Sequence, residues 1–243
     1  MILRERRMVF IHVPKAAGTT IERLLDPNVN DPAAPPDYER AYGWCPVRRA
    51  WLQHATLQEL VDFGLLDRTE AADFFTFTVV RNPFDRAVSD YFFLRRKTSR
   101  AGSFREMLCG EGGWRALLQD RSGPRYRGDH IRPQSDYVML DGQEAADHVG
   151  RFEDLSTTLS ELSSRGFDVS TAGFTNRGRY RSHHYSHFYR DSEILAVRER
   201  YCGDLVRFDY AFEDRREERS RVAREFDRSL NLAGAALAGL RPV

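Results

Sequence analysis

Apolar residues along this chain fall into two unbroken runs and several periodic ones. Residues 8–13 (Met-Val-Phe-Ile-His-Val) and 74–80 (Phe-Phe-Thr-Phe-Thr-Val-Val) are continuous and β-prone, the pattern of interior strands covered on both faces of a parallel sheet. Behind the first run, Ile21, Leu24 and Leu25 recur at helical spacing, so Gly18, Thr19 and Thr20 form the first turn of a helix. Behind the second, Asn82 caps and Pro83 opens a helix through residue 97, which puts Arg81 at a strand's carboxyl end and Ser89 about two turns into the helix. Thr56 caps a helix over 57–65 with Leu57, Leu60, Val61 and Leu65 on one face, and Ser103 starts a short one carrying Phe104, Met107 and Leu108. Residues 149–155 read as a short strand leading to a helix through 162, residues 194–201 as a helix, and 213–228 as a solvated helix within a C-terminal helical region, 213–243. Strands alternating with helices predict an α/β fold: a single domain over residues 1–243, with a central parallel sheet flanked by helices. Pro27, Pro32, Pro35 and Pro36 mark loop chemistry, and residues 27–55 and 110–135 are expected to be long functional loops.

The first strand–loop–helix unit carries the most specific chemistry. Pro14, Lys15, Ala16, Ala17, Gly18, Thr19 and Thr20 place one ammonium, one glycine and two hydroxyls at a helix start, where free amides and the positive dipole end favour an anion. Lysine occurs only at Lys15 and Lys97 among 37 basic residues, the rest being arginine. A compact ammonium suits a bridging oxygen in a tight loop better than a planar guanidinium. The lysine precedes the glycine and no Gly-Lys-Ser/Thr occurs, which disfavours a Walker-type nucleoside triphosphatase.

This P-loop-like segment resembles the 5′-phosphosulfate-binding loop of the sulfotransferases, in the branch typified by heparan 2-O- and chondroitin 4-O-sulfotransferases and bacterial relatives. There His-x-Pro-Lys-x-x-Gly-Thr-Thr/Ser closes the first strand. The stretch from Val79 through Arg81, Asn82, Pro83, Asp85, Arg86 and Ser89 to Tyr91 closely resembles the family's 3′-phosphate-binding motif, Val-x-Arg-(Asn/Asp)-Pro-x-(Asp/Glu)-Arg-x-x-Ser-x-Tyr. The resemblance implies a single sulfotransferase domain that moves a sulfuryl group from 3′-phosphoadenosine 5′-phosphosulfate (PAPS) to an acceptor hydroxyl, releasing adenosine 3′,5′-diphosphate. It implies that Arg81 and Ser89 grip the 3′-phosphate, that the acceptor is a saccharide or glycoconjugate, and that no metal is needed. A histidine between the two phosphate motifs is the proposed base in the 2-O-sulfotransferase branch. His54 is the sole histidine between His12 and His130, and it stands just before a predicted helix start, where the dipole favours a neutral imidazole. Lys15 and His54 are therefore the candidate catalytic pair, with His12 expected to pack against the loop.

Other segments remain open. Residues 121–129 are rich in Gly and Arg, as acceptor-facing segments or as solvated turns. Arg132 and Gln134 lie in an Arg-Pro-Gln element resembling one in bacterial and chondroitin-type members, and are candidate cofactor or acceptor contacts. Residues 176–187 combine Arg177, Arg179 and Arg181 with His183, His184 and His187. A metal site at His183 and His187, a nucleic-acid patch and a loop over the cofactor's phosphates or an anionic acceptor compete there. The last is preferred, with Arg179 and Arg181 as contacts.

Composition narrows the classes. The 243 residues are 41% hydrophobic and 30% charged with a net charge of +1, ordinary for a globular protein and no argument for nucleic acid. Cys45, Cys109 and Cys202 show no CxxC spacing, so neither a disulfide framework nor structural zinc is indicated and a reducing cytoplasm is expected. No apolar run approaches the ~20 residues of a membrane span, and the first residues lack a signal-peptide core, so a bacterial-type soluble enzyme is expected. A P-loop-like small-molecule kinase and a non-catalytic nucleotide-binding protein are the alternatives.

Overall fold

The computed structural model describes residues 1–27, 29, 35–98, 102–170 and 183–216. In chain order the elements are β1 (Ile2–Leu3), β2 (Met8–Ile11), α1 (Gly18–Leu25), β3 (Trp44–Cys45), β4 (Ala50–Trp51), α2 (Leu57–Asp62), α3 (Arg68–Asp73) and β5 (Phe75–Val80). There follow α4 (Pro83–Thr98), α5 (Phe104–Cys109), α6 (Arg115–Gln119), β6 (Met139–Leu140), β7 (Gln143–Glu144), β8 (His148–Arg151), α7 (Ser156–Ser164), α8 (Asp191–Arg200) and α9 (Cys202–Arg207). They form two compact units, one of Met1–Arg81 with Asp120–Asn176 and one of Asn82–Gln119 with Arg177–Val243.

The first unit is built on a four-stranded sheet ordered β1-β2-β5-β8, in which β1 runs antiparallel to β2 while β2, β5 and β8 are parallel. Val9 and Ile11 face one side, into a core with Leu57 and Leu60 of α2 and Ala71 of α3. Met8, Phe10, Phe77 and Val79 face the other, against Ile21, Leu24 and Leu25 of α1 and Leu162 of α7. Burial on both faces explains why both strands read as unbroken apolar runs. The Thr78 hydroxyl donates to Ile11 O at 2.7 Å, tying the carboxyl ends of β2 and β5 together.

Helix starts follow their local chemistry. Thr56, Asp67 and Ser103 accept from the amides of Glu59, Glu70 and Glu106, each of which returns a carboxylate to the cap amide. α2 stops at Asp62, short of the residue 65 expected from periodicity. Gly64 then turns the chain with φ +66° and the amides of Leu65 and Leu66 bond back to Leu60 O. Residues 27–55, expected as loop throughout, contain the β3–β4 hairpin, held by the edge-to-face pair Trp44 and Trp51 at 5.8 Å. Two residues per strand leave no period to read. Within residues 110–135, α6 and short 3₁₀ turns at Gly112–Trp114 and Gly128–Ile131 likewise replace part of the expected loop.

The second unit is helical. Asn82 Oδ1 accepts from the Phe84 amide at 3.0 Å, capping α4 as predicted. Phe84 packs with Tyr185, Tyr189 and Phe212, and Tyr189 donates its hydroxyl proton to Phe84 O at 2.8 Å. The described part of the stretch expected as a solvated helix, residues 213–216, is not α-helical, and the remainder lies outside the described residues.

Phe10 is 1% exposed with its ring 5.0 Å from that of Phe77. Phe10→Ala is expected to destabilise the protein by about 3–5 kcal/mol in denaturant titration. A loss below about 1 kcal/mol would contradict the core described here.

Candidate active site

The loop between β2 and α1 is wound in alternating hands. Lys15 and Ala17 both take left-handed backbone angles, φ +65° and +67°, an uncommon conformation for residues with a side chain. Successive amides in such a turn converge on a concavity suited to an anion. Thr20 N donates to Ala17 O at 2.9 Å inside the first helical turn. Among the described residues, the amides of Ala17, Gly18 and Thr19 donate to no protein acceptor. The free donors thus run from Ala17 to Thr19; Thr20 contributes its position and hydroxyl but not its amide. Lys15, Thr19 and Thr20 are half-buried, while Pro14 and Ala16 are buried beneath them.

His12, the last residue but one before the loop's proline, is wedged under the start of α1. Its Nδ1 is 2.8 Å from Glu22 Oε1, and a Cβ on Gly18 would sit 1.9 Å from its Nε2. Glycine is required at 18 by this close approach rather than by its dihedral angles. Burial lowers the His12 pKa, against the pull of Glu22. Burial pushes Glu22 up, but the His12 imidazole and its hydrogen bond override it and hold the carboxyl below its ordinary range.

The His12 ring meets that of His54 edge-on, centroids 4.9 Å apart, and the His54 ring meets His130 in the same way at 5.5 Å. His54 ends a 3₁₀ turn (Leu52–His54) that leads directly into the Thr56 cap of α2. Its Nδ1 is hydrogen-bonded to Oδ2 of Asp129, a buried carboxylate. Burial acts to raise Asp129, but His54, His130 and Arg127 hold it well below the usual carboxylate range. An imidazole that gives its Nδ1 proton to an anion keeps Nε2 for another partner, and this contact fixes the orientation of the His54 ring.

Arg81 closes the site from β5. Its guanidinium, 2% exposed, donates to Lys15 O at 3.0 Å and lies 4.2 Å above the Phe152 ring. Gln134, wholly buried, accepts from Arg81 N at 2.9 Å and donates to Arg81 O at 2.8 Å. Its amide is committed to backbone and faces no surface that a ligand could reach. Arg132 forms a two-pronged ion pair with Glu59 at 2.6 and 2.8 Å, and Glu59 Oε2 also accepts from Thr56 N at 3.0 Å. Arg132 therefore braces the helix start beside His54.

A family model described as the sulfotransferase family matches residues 1–211 of the chain. The chain belongs to the sulfotransferase family. No curated protein and no solved structure matches it significantly. As a sulfotransferase the protein is a transferase of sulfuryl groups whose acceptor bears a hydroxyl. No helix among the described residues is long and apolar enough to cross a membrane.

The sulfotransferase's first unit thus gathers Lys15, Arg81, His54, Arg132 and Gln134. Ser89 belongs to the second unit, buried on α4. Arg179 and Arg181 lie outside the described residues; of the neighbouring histidines, His187 bonds Arg215 O through Nε2 at 2.8 Å. Glu22, Glu59, Asp129 and His130 are the site residues that sequence reasoning passed over. The cap pattern Thr-x-x-Glu signalled Glu59, and Asp129 and His130 adjoin the flagged Arg-Pro-Gln element.

Gly18→Ala is expected to force the His12 ring off Glu22 and destabilise the protein by about 1–3 kcal/mol in chemical denaturation. Stability within about 0.5 kcal/mol of the parent would contradict the close approach.

Proposed function

We propose that this protein transfers the sulfuryl group of PAPS to a hydroxyl of a saccharide or glycoconjugate. One observation carries the reading: a lysine loop with three amides lacking protein acceptors is linked through His12 to an imidazole whose far nitrogen is held by a buried carboxylate. Lys15 and the amides of Ala17, Gly18 and Thr19 bind the 5′-phosphosulfate and stabilise the negative charge growing on the bridging oxygen as its bond to sulfur breaks. His54 Nε2 takes the acceptor's proton as the acceptor oxygen bonds to sulfur in line, and Asp129 stabilises the imidazolium so formed. Arg81 keeps the loop in register through Lys15 O and, with Ser89, is assigned to the 3′-phosphate, an orientation contribution. Product adenosine 3′,5′-diphosphate leaves from the same loop, and no step calls for a metal.

The saccharide assignment rests on the resemblance to carbohydrate sulfotransferases and on half-buried Trp44 of the β3–β4 hairpin just ahead of His54. Aromatic side chains combine a large apolar face with a polar handle, the chemistry a sugar ring requires. Three free thiols suit a reducing cytoplasm. A bacterial-type enzyme accords with these features.

Adenosine 3′,5′-diphosphate is expected to raise the melting temperature in a concentration-dependent way, and ATP with Mg²⁺ to leave it nearly unchanged. Equal stabilisation by ATP would overturn the donor assignment in favour of a kinase.

His54→Ala is expected to bind adenosine 3′,5′-diphosphate normally while losing about 10²-fold or more in turnover on a saccharide acceptor panel. Normal turnover by a folded variant would remove His54 from the mechanism.

A further inference from the structure

The pair that orients His54 has a third member. His54, Asp129 and His130 each offer a donor atom, and the three atoms lie within 4.8 Å of one another. Asp129 Oδ1 is buried and has no hydrogen-bond partner, although the same carboxylate binds His54 through Oδ2. An ionised carboxylate with an unsatisfied buried oxygen is costly, so a ligand for that oxygen is favoured. Arg127, the remaining charged group acting on Asp129, donates to Pro124 O and Tyr126 O and lies over the Trp51 ring. It leaves the oxygen to the two imidazoles.

We infer that His54, Asp129 and His130 form a binding site for a divalent transition-metal ion of the zinc class, whose occupancy blocks the base. Two imidazoles and one carboxylate are a donor set that zinc takes, with a fourth position left for water or an acceptor oxygen. Magnesium and calcium, which require mainly oxygen ligands, are disfavoured. The block follows from proton placement. When the ion bonds to His54 Nδ1, the proton on Nδ1 is displaced and the neutral ring holds its proton on Nε2 instead. Nε2 then has no lone pair for the acceptor proton. Metal and substrate proton compete for one imidazole, so the ion inhibits and is not required for turnover. The inhibitory half rests on the base assignment in the proposed function; the binding half does not.

The test uses the full chain stripped with a chelator. Equilibrium dialysis against Zn²⁺ alone is expected to give one ion per chain, with affinity reduced about tenfold or more in Asp129→Asn and in His130→Gln. Co²⁺, as a second probe of the parent, is expected to give the intense visible absorption of a tetrahedral site with nitrogen and oxygen ligands. Zn²⁺ is further expected to inhibit the parent reversibly, with chelator restoring the rate, while whatever turnover His130→Gln retains is expected to resist inhibition by the same Zn²⁺ concentration. Absence of stoichiometric Zn²⁺ and of the Co²⁺ spectrum in the parent overturns the site, as does undiminished binding by a folded His130→Gln. Stoichiometric binding with unchanged turnover would keep the site and overturn the blocking step and, with it, His54 as the base.

Discussion

The His12 ring is clamped between the first turn of a helix and a second imidazole, and the organisation of the first unit turns on that clamp. Its Nδ1 bonds Glu22 on α1 at 2.8 Å, its far nitrogen touches the Gly18 backbone, and its ring edge meets His54. One buried side chain thereby fixes where the helix begins, and with it where the amides of Ala17, Gly18 and Thr19 point. The same ring sets the place of His54. A side chain at residue 18 would break this arrangement, which is why a glycine stands at the helix start although its backbone is helical there.

Around the clamp, polar groups buried in the sheet end are satisfied by residues distant in sequence. Arg81 binds the carbonyl of Lys15, Gln134 closes a two-way bond with the backbone of Arg81, and Thr78 binds Ile11 O. Each is a group that would be costly to bury alone, so the strand ends are locked in register by the penalty of separating them. On the other side of His54, Arg132 holds Glu59, which holds the Thr56 amide. The loop's left-handed backbone at Lys15 and Ala17 persists because these surroundings over-determine it. Preorganisation of this kind is what charge stabilisation in a transfer reaction requires, since donors already aimed cost little reorganisation.

The sheet strands, the loop and the helix starts were readable because their signals are local: unbroken apolar runs, a glycine and threonines at a helix start, and Thr, Ser and Asn-Pro caps. What escaped was pairing at long range. Asp129 meets His54 across 75 positions and Gln134 meets Arg81 across 53, and no periodicity encodes either. Arg132 and Gln134 are candidate ligand contacts through their resemblance to an Arg-Pro-Gln element, and the structure pairs Arg132 with Glu59 and Gln134 with the Arg81 backbone. The β3–β4 hairpin, with two residues in each strand, is specified by one aromatic pair rather than by pattern. Glu22, on the buried side of a short amphipathic helix, is intelligible only once His12 is seen beside it.

A crystal structure of the protein with adenosine 3′,5′-diphosphate tests the central claim most directly, because the loop and the base must serve one ligand. The account predicts the 5′-phosphate within about 3 Å of Lys15 Nζ and of the amides of Ala17 to Thr19, with His54 Nε2 facing the side from which an acceptor hydroxyl would approach. A nucleotide bound away from this loop, or on it with His54 Nε2 turned away and the Asp129 bond broken, would contradict the account.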